Sequence, residues 1–172
     1  MRHARVNVFV HVVWATWDRL PVLTAPIYRE VHRAIAAKCR ELGAELIAFG
    51  GVEDHVHALV QMPSTITIAN LVGQIKGASS HLVTHELLPP DAFFKWQGAY
   101  GAFSVSRTHL TAVSEYIKRQ REHHATGTTI AAYEPEFTDR MSSADRMSSA
   151  DRALTARASH SPSSKTVQTE NE

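Results

Sequence analysis

Two short stretches carry side chains whose type and spacing could do chemistry. Asp54-His55-Val56-His57 sets two imidazoles two residues apart. In a strand such positions face the same way, so His55 and His57 project together. Neighbouring imidazoles can share one divalent cation; the plainer alternative is a hydrogen-bonded pair on a polar face. Tyr116 and Gln120 stand four residues apart, side by side on a helix. Glutamine offers a hard carbonyl oxygen to Mg²⁺ or Mn²⁺, and a deprotonated phenol can attack phosphorus. A tyrosine on an amphipathic helix can equally be a packing residue.

The elements that must position these groups follow from hydrophobic periodicity. The chain has 172 residues, 44% hydrophobic and 20% charged, enough to bury a core in one domain. Its one cysteine, Cys39, excludes a disulfide framework or a thiolate zinc site. No apolar run reaches the roughly 18 residues of a membrane helix, and the first residues lack a signal peptide's pattern. A cytoplasmic protein is expected. Residues 1–124 hold 13 Lys/Arg against 10 Asp/Glu, while residues 125–172 hold 5 against 7. That balance permits a phosphate-backbone ligand without demanding one.

Residues 5–16 alternate Val6, Val8, Val10 and Val12, a strand with His11 on its other face. Residues 24–42 read as a helix stopped by Gly43, 45–52 and 55–62 as strands, and 64–88 as a second long helix. Two short strands are expected around 93–97 and 101–106, then a last helix over 108–124 that carries Tyr116. The order β-α-β-β-α-β predicts an α+β, ferredoxin-like (RRM-like) antiparallel sheet with helices on one face and a C-terminal tyrosine helix. The first and third strands are then central neighbours, and the second face is left open.

Three segments are expected: a domain at 1–124, an extension at 125–137, and a tail at 138–172. From Asp139 the chain reads DRMSSA-DRMSSA-DRA, and beyond Phe137 it has no aromatic residue. Such a stretch buries too little apolar surface to fold, so a disordered tail is predicted.

His11 is expected near the histidine pair, as a partner to it or a DNA contact; otherwise it is a satisfied polar-face histidine. Lys76 and Arg19 are candidate phosphate contacts, or simply solvated cations. Trp14, Trp17 and Trp96 can stack on unpaired bases or pack in the core. His123 and His124 suit the negative end of a helix dipole.

The motifs occur together in order: HVVWATWDRLPVL at 11–23, DHVH at 54–57, QIKGASS at 74–80, WQGAYGAFSVS at 96–106 and YIKRQREHH at 116–124. Over residues 5–124 this resembles the single-tyrosine HUH transposases of the insertion sequence 200/605 type and their REP-associated relatives. The resemblance implies that His55, His57 and Gln120 hold one Mg²⁺ or Mn²⁺ and that Tyr116 is the nucleophile. It implies cutting and rejoining of single-stranded DNA with hairpin ends through a 5′-phosphotyrosine, by a homodimer whose sites can be composite. Two imidazoles and an amide leave positions open on the cation, unlike a closed zinc site. After His124 the sequence departs from the pattern, where relatives continue into another amphipathic helix. The alternative function is a single-strand-binding module that does not cut. A two-histidine phosphoesterase is rejected, since His109-Leu110-Thr111 and His124-Ala125-Thr126 fall on a helix.

Overall fold

A computed structural model describes residues 6–134. The expected tail at 138–172 lies outside them. The elements are β1 (Val8–Ala15), α1 (Ala25–Glu41), β2 (Glu45–Gly51), β3 (His55–Met62), α2 (Ile68–Leu82), β4 (Gly101–Val105), α3 (Leu110–Lys118) and α4 (Gln120–Thr126). The strands form one antiparallel sheet in the order β2-β3-β1-β4, the ferredoxin-like arrangement that the sequence predicts.

Period-two alternation in β1 and β3 sorts side chains onto two faces. Val10, Val12, Trp14, Val56, Ala58 and Val60 point to the rear, where Val31, Ile35 and Cys39 of α1 and Leu71, Val72 and Ile75 of α2 cover them. Phe9 and Leu59 point to the front and meet Val113, Tyr116 and Ile117 of α3. The front is therefore covered by the tyrosine helix of the same chain. In β2 the register slips between Leu46 and Ala48, leaving Ile47 as an extra residue. Ile47 and Ala48 consequently both join the front cluster, while Leu46 and Phe49 pack at the rear.

Gly50, opposite His57, is where α3 comes closest to the sheet. A Cβ there would lie 1.6 Å from the Ile117 carbonyl oxygen, so only glycine fits.

Three expected elements differ. The helix expected over 64–88 begins at Ile68, with the Thr67 hydroxyl accepting from the Asn70 amide, and ends in a π turn at Val83–Leu87. The strand expected at 93–97 is a loop joined to β1 by one bridge, Thr16 to Trp96; Phe94 and Trp96 fill the rear core, and their burial rather than pairing accounts for the alternating pattern. The helix expected over 108–124 opens with a 3-10 turn at Arg107–His109 and breaks at Arg119 (φ −99°, ψ 20°) into α3 and α4. Among the described residues no helix is long and apolar enough to cross a membrane.

Candidate active site

β3 delivers His55 and His57 to the front face, and both are fully buried. Each ring is oriented through its Nδ1. His55 Nδ1 lies 2.6 Å from Asp54 Oδ1, and the other oxygen of Asp54 meets Arg19 Nε at 3.0 Å. Asp54 itself sits in the tight turn before β3, where Thr16 donates from its amide and its hydroxyl to the Asp54 carbonyl. Asp18 and Arg19 adopt positive φ (51° and 55°), the conformation in which the loop brings the guanidinium to Asp54. Burial disfavours a charged His55, but its contacts with Asp54 and Glu134 outweigh that and raise its pKa.

His57 Nδ1 is 2.9 Å from His11 Nε2, and the two rings stack. His11 is fully buried beneath Tyr133 and Phe103, so in this conformation it offers no surface to a DNA strand. Burial, then the His57 charge, push the His11 pKa down to about 3; burial lowers that of His57 as well. Neutral rings are the form that can donate a lone pair.

α3 brings Tyr116 over His57, with ring centroids 6.1 Å apart. One helical turn on, Gln120 is buried, and its amide nitrogen is 3.4 Å from the Tyr116 carbonyl. The break at Arg119 thus leaves the expected i, i+4 relation standing. Gly127, with φ 66°, ends α4 and turns the chain back. The returning segment places the Ile130 amide 3.1 Å from the Tyr116 hydroxyl oxygen, to which it donates. Tyr116 in turn donates to Glu134 Oε1 at 2.7 Å. Burial foremost raises the Tyr116 pKa.

Glu134 was given no role by the sequence. Its Oε1 lies 3.4 Å from His57 Nε2, and its Oε2 lies 3.3 Å from His55 Nε2 and 3.7 Å from His124 Nε2. Burial raises a carboxyl pKa, yet the two imidazoles hold this one well below the usual range. Neither position nor periodicity flags it, since Glu134 is one of two acids in Tyr133-Glu134-Pro135-Glu136, a stretch with no hydrophobic period. His124, read as a dipole cap, stacks edge-on against His55 with centroids 4.9 Å apart.

The atoms left over bear on a cation. His55 Nε2, His57 Nε2 and Gln120 Oε1 are buried and make no hydrogen bond among the described residues. The two nitrogens face the Glu134 carboxylate at 3.3 and 3.4 Å, and imidazole nitrogen and amide oxygen are donor types that divalent ions accept. His55, His124 and Glu134 also bring ligand atoms within 4.8 Å of one another.

The remaining expected residues are spread wider. Arg19 is at the rim, with its side chain 44% exposed and paired to Asp54. Lys76 Nζ lies 2.5, 3.3 and 3.2 Å from the carbonyl oxygens of Gln97, Gly98 and Ala99, so it anchors the loop before β4. Trp14 and Trp96 are core residues on the rear face, and Trp96 Nε1 donates to Ser79 Oγ at 3.0 Å. Lys95 Nζ sits 4.0 Å over the Trp17 ring.

The ferredoxin-like sheet thus faces its paired histidines toward a helix-borne tyrosine on the front. The family model described as "Transposase IS200 like" matches residues 4–120, and the chain belongs to this family. It is 24% identical over 148 residues to the transposase for insertion sequence element IS200 of Salmonella typhimurium, with 81% of this chain and 95% of the relative aligned. The Salmonella typhi counterpart matches equally. Among solved structures it resembles a candidate transposase of Deinococcus radiodurans R1 (TM-score 0.55, 24% identity, 70% of this chain, 98% of that one). It also resembles a REP-associated tyrosine transposase bound to a REP hairpin (TM-score 0.54, 15% identity, 75% and 74%).

Proposed function

We propose that this transposase cuts and rejoins single-stranded DNA with hairpin ends through a 5′-phosphotyrosine bond on Tyr116, aided by one Mg²⁺ or Mn²⁺ held by His55, His57 and Gln120. The observation that carries the reading is the closeness of nucleophile and cation donors. Tyr116 Oη is 2.7 Å from Glu134 Oε1, which is itself 3.4 Å from His57 Nε2. The relative bound to a REP hairpin supports a hairpin substrate.

When bound, the cation would polarise the scissile phosphate and stabilise charge on the leaving oxygen. The protein's own groups do the rest. Asp54 accepts from His55 Nδ1, which leaves the Nε2 lone pair inward. The His11–His57 contact orients the second ring in the same way. The phenol oxygen of Tyr116 bonds to phosphorus as the bond to the 3′-oxygen breaks; the phenol gives up its proton and the leaving oxygen becomes a 3′-hydroxyl. Attack by that hydroxyl reverses the step and rejoins ends, so no external energy source is needed. Arg19, open at the rim, is the proposed phosphate contact. The work takes place in the cytoplasm.

Mixing a hairpin-ended strand with Mn²⁺ and full-length protein should give a denaturation-resistant protein–DNA band, lost in Tyr116→Phe while hairpin binding stays within about threefold. An adduct that persists in Tyr116→Phe overturns the assignment, and hairpin binding with no adduct in either protein leaves a binding module. The same reading includes a homodimer. Tyr116 lies over His57 of its own chain, and the reading takes the site as closed in cis, against exchange of α3 and α4 between copies through the 106–108 hinge. Co-refolded His57→Ala and Tyr116→Phe chains should then regain no adduct; recovery on the His57→Ala chain would mean sites shared between copies.

A further inference from the structure

The Glu134 carboxylate touches the Tyr116 hydroxyl with one oxygen and lies beside His55 with the other. Resting on the cation site proposed above, we infer that Glu134 couples nucleophile and cation: its Oε2 is a further cation ligand beside His55, while its Oε1 holds the Tyr116 hydroxyl, so that cation binding fixes the nucleophile.

Three observations carry this. First, the carboxylate lies 3.3 Å from His55 Nε2 and 3.4 Å from His57 Nε2, yet neither nitrogen makes a hydrogen bond. These ion-pair separations also match the spacing of ligands around one ion, since ligands at about 2.1 Å from one centre stand about 3.0 to 3.5 Å apart. Second, a carboxylate completes the donor set chemically: two imidazoles and an amide are all neutral, and hard divalent ions favour anionic oxygen. Third, Glu134 accepts directly from the nucleophile, and the segment that carries it is pinned locally. Tyr116 donates to Oε1, Ile130 donates its amide to the Tyr116 oxygen, and His123 Nδ1 is 2.9 Å from Thr128 Oγ1. The whole return from Gly127 is thereby closed over the tyrosine. Glu134 acts here as a positioning residue for Tyr116.

The test uses the full-length protein, with Mn²⁺ as the probe and no DNA. Calorimetric titration should give Mn²⁺ affinity at least tenfold weaker in Glu134→Gln, which keeps the size and one acceptor oxygen of the side chain. Tyr116→Phe should stay within about threefold of wild type, and His57→Ala should lose binding. Hydrogen exchange supplies the coupling readout: Mn²⁺ should slow exchange of the Ile130 amide at least fivefold in wild type and not in Glu134→Gln. Wild-type affinity in Glu134→Gln, alongside loss in His57→Ala, overturns this inference and spares the cation site. Full binding in His57→Ala overturns both. Tighter binding in Glu134→Gln also overturns it, since Glu134 would then be an occupant that the cation displaces.

Discussion

The two faces of one sheet are built by opposite rules. At the rear, Val12, Trp14, Val56 and Val60 meet Val31, Ile35, Leu71 and Ile75, and nearly every buried group is apolar. At the front, the same two strands bury His11, His55 and His57 beneath Tyr116 and Gln120. The rear gains hydrophobic free energy from each side chain that it covers. The front keeps Nε2 and Oε1 atoms inward without hydrogen-bond partners, which works against stability. The difference teaches that strands β1 and β3 serve as a partition, with an apolar packing layer on one side and a buried polar cluster, the proposed site, on the other.

That division can be probed from both sides. Ile35 is fully buried in the rear cluster. Ile35→Ala should cost about 2–5 kcal/mol of unfolding free energy. Adduct formation by the folded protein at low temperature should be unchanged; urea melts and a gel-shift of the denatured adduct read the two effects. Loss of activity at full foldedness would mean that the rear packing also tunes the site.

At the front, Gly50→Ala should do the reverse. Its Cβ would meet the Ile117 carbonyl at 1.6 Å, forcing α3 off the sheet. The expected stability loss is about 1–3 kcal/mol. The adduct should be lost altogether, because Tyr116 precedes the displaced residue.

A pH series probes a single buried imidazole at the front. His11 titrates near 6.5 when unfolded and at about 3 in the fold, so folding favours its neutral form. Its stabilising share is whole above pH 6.5 and is lost as the pH falls from 6.5 toward 3, by up to about 1.4 kcal/mol per pH unit. The melting-temperature advantage of wild type over His11→Gln should shrink between pH 7.5 and pH 4.5. A constant gap would mean that the buried imidazole is charged in the fold.

How much of this could be read in the sequence differs by element. Period two in β1 and β3 gave the sheet, the face of His55 and His57, and the nearness of His11. The i, i+4 spacing of Tyr116 and Gln120 survives even the helix break at Arg119, because the backbone continues with a similar turn. Glu134 was not legible, since it reaches the site through the Gly127 turn and a short return, and its own side-chain contacts, to Tyr116, His55 and His57, are all distant in sequence. The same holds for Lys76: its charge suggested phosphate, while three loop carbonyls too distant in sequence to anticipate set its position. The alternation at 93–97 misled because loop residues can fill a core as strands do.

The surplus residue in β2 has a consequence for how the chain can vary in length. Everywhere else in that strand, adding or removing one residue swaps every following side chain between the faces. At Ile47 the ladder already skips a residue, so Leu46 still opposes Val60 and Ala48 still opposes Leu59 whether or not Ile47 is there. A single-codon deletion there would keep the register downstream, Gly50 included, while removing Ile47 from the front cluster. The position at which β2 can shorten without a change of faces thus stands three residues before the glycine that admits no side chain.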